Sequence, residues 1–204
     1  VLFSRSGELI RISSCAKNAI RIQAFPDCRV IEENYTLMPQ SLPIQVRQEE
    51  HYATVTAGTL HLRLEQYGKL TFTIGDKVII SDKSRHTFEA NGDFRRYVNK
   101  GTENWSVSAN FDANDGEHFF GLGHSWDNEF DLKGSTIDLC QLNAKCTIPY
   151  VYSSLGYGFI WNNPSPGLCE LGYNRTRWTS DNAKFIDYVV IAGTPKEACT
   201  TLAD

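Results

Sequence analysis

The chain has 204 residues, with 20 Lys and Arg against 24 Asp and Glu, a formal net charge of −4, and 41% hydrophobic residues. That apolar content suffices for a real core in one large domain or two small ones and excludes a disordered chain. The interspersed charges leave no basic stripe for nucleic acid, and no apolar run approaches the roughly twenty residues of a spanning helix, so neither nucleic acid nor a membrane is an expected partner.

Six cysteines (Cys15, Cys28, Cys140, Cys146, Cys169 and Cys199) are scattered without a CxxC pair or any metal-ligand spacing. They read as free thiols in a reducing compartment, so the chain is expected to be cytoplasmic, with no metal and no cofactor. Cys140 and Cys146 could approach across a loop, although no bridge is expected. No charged-then-apolar leader opens the chain. It starts at Val1 and stops at Asp204 within a helical pattern, which reads as a piece of a longer protein.

In chain order, 9–12 and 19–25 alternate apolar and polar residues, the period of a half-buried strand. Pro26-Asp27 turns the chain, and 31–48, with Pro39 and Pro43, reads as a loop or an edge crossing because proline cannot donate to a ladder. Short strands are expected at 52–56, 59–65, 69–74 and 77–80, separated by Ala57-Gly58, Tyr67-Gly68 and Gly75-Asp76. That spacing is the mark of an antiparallel sandwich. The segment 84–104 carries Arg85, Arg95, Arg96 and Lys100 beside Glu89, Asp93 and Glu103 and reads as a solvated face. A strand at 105–111 follows.

Next come Phe119-Phe120-Gly121-Leu122-Gly123 and then Lys133-Gly134. Two apolar and aromatic runs at 148–154 and 157–162 flank Leu155-Gly156, the pattern of a tight hairpin deep in a sheet. At 194–204 Thr194 stands as N-cap, Pro195 takes the first helical position and Glu197 completes a capping box. Ala198, Cys199 and Leu202 are expected to share a face of that helix. The domain is thus expected at 1–193 with a linker helix from 194 onward.

Candidate chemistry is sparse. Asp127, Glu129 and Asp131 form the only dense acidic group, and they read as a solvated acidic turn, because three like charges sharing a site would need cations. The five histidines, His51, His61, His86, His118 and His124, show no carboxylate partner in the sequence. Trp126 and Trp178 are open to stacking on sugar rings, whereas Trp161 inside the apolar hairpin reads as core.

Taken together, Phe119–Gly123, Leu132-Lys133-Gly134, Ile148–Ser154, Gly156–Pro164 and Ile186–Ala198 resemble the N-terminal β-sandwich, of galactose-mutarotase-like type, of family 31 glycoside hydrolases, the α-glucosidases and α-xylosidases. The resemblance implies an all-β antiparallel sandwich, with the short C-terminal helix leading to a (β/α)8 barrel. In that family both catalytic aspartates lie on the barrel, so no residue here is expected to be catalytic. It implies a retaining α-glycosidase of carbohydrate metabolism, whose partners are its glycoside or oligosaccharide substrate and the barrel of the same chain.

The resemblance also implies that the 138–147 loop reaches over the barrel mouth and shapes the leaving-group subsite. Many members carry a longer loop with a Trp-Asn-x-Asp run. Here Gln141 and Asn143 stand instead, neutral amides able to donate to and accept from sugar hydroxyls. His124 is a second departure, at a position where the family often has Glu. Two other classes remain open: a free-standing carbohydrate-binding or mutarotase-like sandwich, and a structural adhesin-type module.

Overall fold

The computed structural model describes residues 1–5, 7–37, 41–83, 94–124 and 129–203. The readings of Pro39, Arg85, His86, Glu89, Asp93, Trp126 and Asp127 lie outside them.

The chain opens as a meander of β1 (Leu2–Arg5), β2 (Glu8–Ser13) and β3 (Ala19–Pro26). A second meander comprises β4 (Gln45–Gln48), β5 (Tyr52–Ala57), β6 (Leu60–Glu65), β7 (Leu70–Ile74) and β8 (Lys77–Ser81). There follow β9 (Arg95–Asn99), β10 (Trp105–Asp112), β11 (Phe119–His124), β12 (Thr136–Leu139), β13 (Cys146–Ser153) and β14 (Tyr157–Trp161). The chain closes with β15 (Gly167–Leu171), β16 (Arg175–Ala183), β17 (Ile186–Ala192) and one helix, α1 (Pro195–Ala203). No helix among the described residues is long and apolar enough to cross a membrane.

The strands form a seven-stranded sheet in the order β1-β2-β3-β17-β14-β13-β11, a five-stranded sheet β12-β15-β16-β10-β9, and another five-stranded sheet β4-β5-β6-β7-β8. Every pairing between them is antiparallel. The two smaller sheets meet where Asp82 bridges Phe111 beyond the reach of β9. They therefore share a layer, packed against the large sheet through β3 on β6 and β17 on β10. A sandwich was expected from the strand spacing; the division of its second layer into two sheets was not.

The expected hairpin at 148–162 is present as β13 and β14, paired from Tyr150↔Ile160 to Ser153↔Tyr157. Every residue of β14 is buried, because its inner face meets the core and its outer face meets α1. Trp161 and Trp178 stack at 6.2 Å between ring centroids, and Phe159 lies between Trp178 and Tyr188. An indole N–H taken out of water needs an acceptor, and Trp161 Nε1 donates to Ser180 Oγ at 2.9 Å. Trp178, only 1% exposed, belongs to this core and is not a surface platform for a sugar.

One further reading is corrected, and two others gain detail. The 84–104 face is not solvated at Arg95: its side chain is 2% exposed and bonds Glu8 and Asp82. Within 31–48, residues Gln45–Gln48 form β4, a fully exposed edge strand paired only with β5. In α1 the capping box forms, with Thr194 N–H donating to Glu197 Oε2 at 2.8 Å, yet Ala198 alone is fully buried while Cys199 stays exposed.

Candidate functional site

The 138–147 segment is a β-hairpin. Leu142 and Lys145 exchange both backbone bonds, at 3.4 and 3.1 Å, which leaves Asn143 and Ala144 as a two-residue turn. One arm continues from β12, the edge of a five-stranded sheet, and the other enters β13 in the large sheet. The hairpin thus spans the two layers at one end of the sandwich.

Its arms are held by side chains as well as backbone. Lys145 Nζ donates to Asp138 O at 2.6 Å, and Thr147 Oγ1 donates to Cys140 O at 3.0 Å. Gln141 Nε2 donates to Thr147 O at 2.7 Å, while Thr147 N–H donates to Gln141 Oε1 at 3.1 Å. Gln141 is therefore left with one N–H and one lone pair for any ligand. Asn143 is exposed at the tip.

Extending the 142/145 register sets Cys146 opposite Gln141 and Thr147 opposite Cys140. Adjacent residues of a strand face opposite sides, so Cys140 and Cys146 point away from one another. All six cysteines are free thiols.

Beside the hairpin runs a groove of about 650 Å³, lined by Gly121, Gly123, His124, Glu129, Phe130 and Lys145 among others. Its wall follows the Gly-Leu-Gly strand, whose glycines are demanded by space: a Cβ on Gly123 would lie 2.1 Å from Cys146 O, at a φ of +82°. Phe130 is 83% exposed although it leans on Phe120 at 4.9 Å. Leu142, Ile148 and Tyr173 are also exposed.

The acids here are occupied by local bonds. Asp131 Oδ1 accepts from the N–H groups of Phe119 and Lys133 at 3.2 and 3.1 Å, and its Oδ2 meets His118 Nδ1 at 2.6 Å. Burial acts upward on its carboxyl, yet these bonds, led by that of His118, hold it below the usual carboxylate range. His118 thus has the carboxylate partner that sequence spacing did not reveal. Glu129 accepts from Ser135 Oγ at 2.8 Å. Asp131 and Glu129 therefore act as turn acceptors. Among the described residues no cluster of three or more His, Cys, Asp or Glu could hold a metal.

The motif residues beyond the hairpin are structural. Asn162 Nδ2 donates to Asp187 Oδ2 at 2.7 Å, Asn163 Nδ2 to Asp187 O at 2.9 Å, and Arg21 binds both Asp187 oxygens. Thr36 Oγ1 donates to Asn162 Oδ1 at 2.5 Å, which ties the 32–37 segment across the outer face of the large sheet.

A model of the glycosyl hydrolase 31 N-terminal galactose mutarotase-like domain matches residues 9–170. The chain belongs to this family. Among curated relatives, an uncharacterized family 31 glucosidase of Pseudescherichia vulneris is 26% identical over 204 residues, 91% of this chain and 39% of that protein. Alpha-xylosidase A of Aspergillus niger is 37% identical over 91 residues, 45% of this chain and 12% of that protein. A family 31 α-xylosidase from a soil metagenome, solved with xylose, shares the fold at a TM-score of 0.88 and 24% identity, over 94% of this chain and 31% of that one. A Flavobacterium johnsoniae dextranase shares it at 0.76 and 17% over 99% of this chain and 26% of its own. This family 31 domain therefore spans well under half the length of the curated relatives it matches.

Sequence reasoning marked Gln141 and Asn143 but missed their scaffold, Thr147, Lys145 and Asp138. The bonding atoms of Thr147 and Asp138 are mostly backbone, which residue type does not announce. The one available signal was the short Asn143-Ala144 step, a weak cue for a two-residue turn.

Proposed function

We propose that this chain is the N-terminal, non-catalytic domain of a retaining α-glycosidase, an α-xylosidase or α-glucosidase. The sandwich occupies 1–193, and the helix from 194 leads into a catalytic (β/α)8 barrel that carries both catalytic aspartates. The domain packs on that barrel, and the 138–147 hairpin, which carries the amides Gln141 and Asn143, is lent to the leaving-group subsite, where it bonds hydroxyls of a glycoside or oligosaccharide. The enzyme is cytoplasmic, a placement supported by six unbridged thiols, of which Cys28, Cys146 and Cys199 are exposed.

The observation that carries this reading is the continuous match to the family's N-terminal domain over 9–170. The exposed Asn143 at the two-residue tip of a hairpin joining both layers supports the role given to the loop. One neutral hydrogen bond to a sugar hydroxyl contributes about 0.5–1.5 kcal/mol, and about 1.4 kcal/mol is a tenfold change in kcat/KM. Asn143→Ala in the intact enzyme is therefore expected to lower kcat/KM roughly three- to tenfold on disaccharides, while aryl glycosides, with no sugar in that subsite, lose little. Equal losses on both substrate types would remove the hairpin from the subsite.

A further inference from the structure

The ladder of the 138–147 hairpin opens two residues below its turn. In the register fixed by Leu142 and Lys145, the next narrow pair is Cys140 with Thr147, whose backbones would exchange N–H to O=C bonds in a regular antiparallel ladder. Instead the Thr147 N–H and C=O both bond the Gln141 carboxamide, at 3.1 and 2.7 Å, and Cys140 O accepts from the Thr147 hydroxyl. β14 offers no substitute, since its pairing with β13 begins only at Tyr150.

A carboxamide presents one donor and one acceptor side by side on one edge, the arrangement that the N–H and C=O of a single strand residue require. Gln141 thus fills a strand position with its side chain. Asn would be one methylene short; Glu has the reach and the acceptor but no donor; Ala has neither. Thr147 is buried and sits opposite Gly123 in the large sheet, so this clamp sets the direction of the tip relative to the sandwich. Lys145 Nζ, bonded to Asp138 O, fixes the same tip from the other arm.

Resting on the subsite reading above, we propose a division of labour: Gln141 is a positioning residue that aims the hairpin through Thr147, and Asn143 at the turn is the specificity-determining group that meets the leaving-group sugar. Gln141 acts on the substrate only through the place it gives Asn143.

The test uses the full-length enzyme, with hydrogen exchange measured over 138–147 and kinetics on a disaccharide. Gln141→Ala and the isosteric Gln141→Glu are expected to speed exchange in this segment about tenfold, whereas Asn143→Ala leaves it unchanged. Each alanine variant is expected to lower kcat/KM roughly three- to tenfold, with the double variant less than about twofold below Asn143→Ala, because residues acting through one another are not additive. Unchanged exchange in Gln141→Ala overturns the clamp. Losses that multiply in the double variant overturn the positioning role, since Gln141 would then touch the sugar itself. No kinetic loss in either single variant removes the subsite reading and with it the role of Asn143, while the exchange data, which report the clamp without reference to turnover, decide separately whether Gln141 positions the hairpin.

Discussion

Arg95 donates to Glu8 Oε1 and Oε2 at 2.9 and 3.1 Å, to Asp82 Oδ2 at 2.7 Å and to Gly68 O at 2.8 Å, and so ties β9 to β2, to the end of β8 and to the β6–β7 turn. Removing one partner of a buried ion pair strands the others, at a cost of about 3–5 kcal/mol. Arg95→Met is expected to lose stability on that order in urea denaturation. Burial pushes the Asp82 carboxyl up to about 6 from an ordinary 3.8, although Arg95 and the Leu70 N–H oppose it. A carboxyl raised in the folded state contributes stability that is full below the unfolded value and is lost as pH rises through the folded one. Between about pH 4 and pH 6 this residue should therefore weaken the fold as pH rises, and Asp82→Asn should flatten that part of the stability profile; an unchanged profile would show that Asp82 does not titrate there. None of this was legible from the sequence around Arg95. Its partners lie 87 and 13 residues away, and a polar run looks solvated until the chain that covers it is in place.

Among the elements, the alternating strands and the 148–162 hairpin were legible because one buried face imposes a period of two, and the capping box because its bonds are local. Edge strands β1, β4, β9 and β12 escaped, since an edge with a wet face carries little alternation, and the interior strands β15 and β16 were not marked either, although both alternate in burial. Two glycines distinguish turn chemistry from space. Gly156 has φ +90° with nothing within 4 Å of a Cβ, whereas Gly123 has φ +82° and backbone oxygen at 2.1 Å. Gly156→Ala is expected to cost about 1 kcal/mol, and Gly123→Ala clearly more because β11 and β13 must part; thermal melts of equal depression would contradict this. Helix α1 rests on the sheet mainly through Ala198. Its amides at 195–203 are expected to exchange faster than those of β13 and β14, and equal protection in hydrogen exchange would show an anchor beyond this contact.

For the molecule as a whole, far-ultraviolet circular dichroism should be dominated by strand, with α1 the one helix among the described residues. The proposed division of roles predicts no turnover of aryl α-glucosides or α-xylosides by the isolated chain. Activity abolished by changing Glu129 or Asp131 would contradict it. Phe130, Leu142 and Ile148, 83%, 63% and 48% exposed, place apolar surface beside the hairpin, and in the intact enzyme they are expected to gain protection from labelling.

The strand order of the large sheet also governs how this protein can be made. β3 pairs with β17 from Ala19↔Ile191 to Ala24↔Ile186, so the β1-β2-β3 meander finds its remaining neighbour only when nearly the whole domain has emerged. Until then one edge of β3 has no strand beside it, and a contact of such sequence separation closes late and slowly. Synthesis of the nascent chain is therefore its exposed phase. A chain ending at Lys184 lacks β17, leaving β3 and β14 as open apolar edges. It should be captured by chaperones or aggregate, whereas loss of α1 alone should leave a folded sandwich.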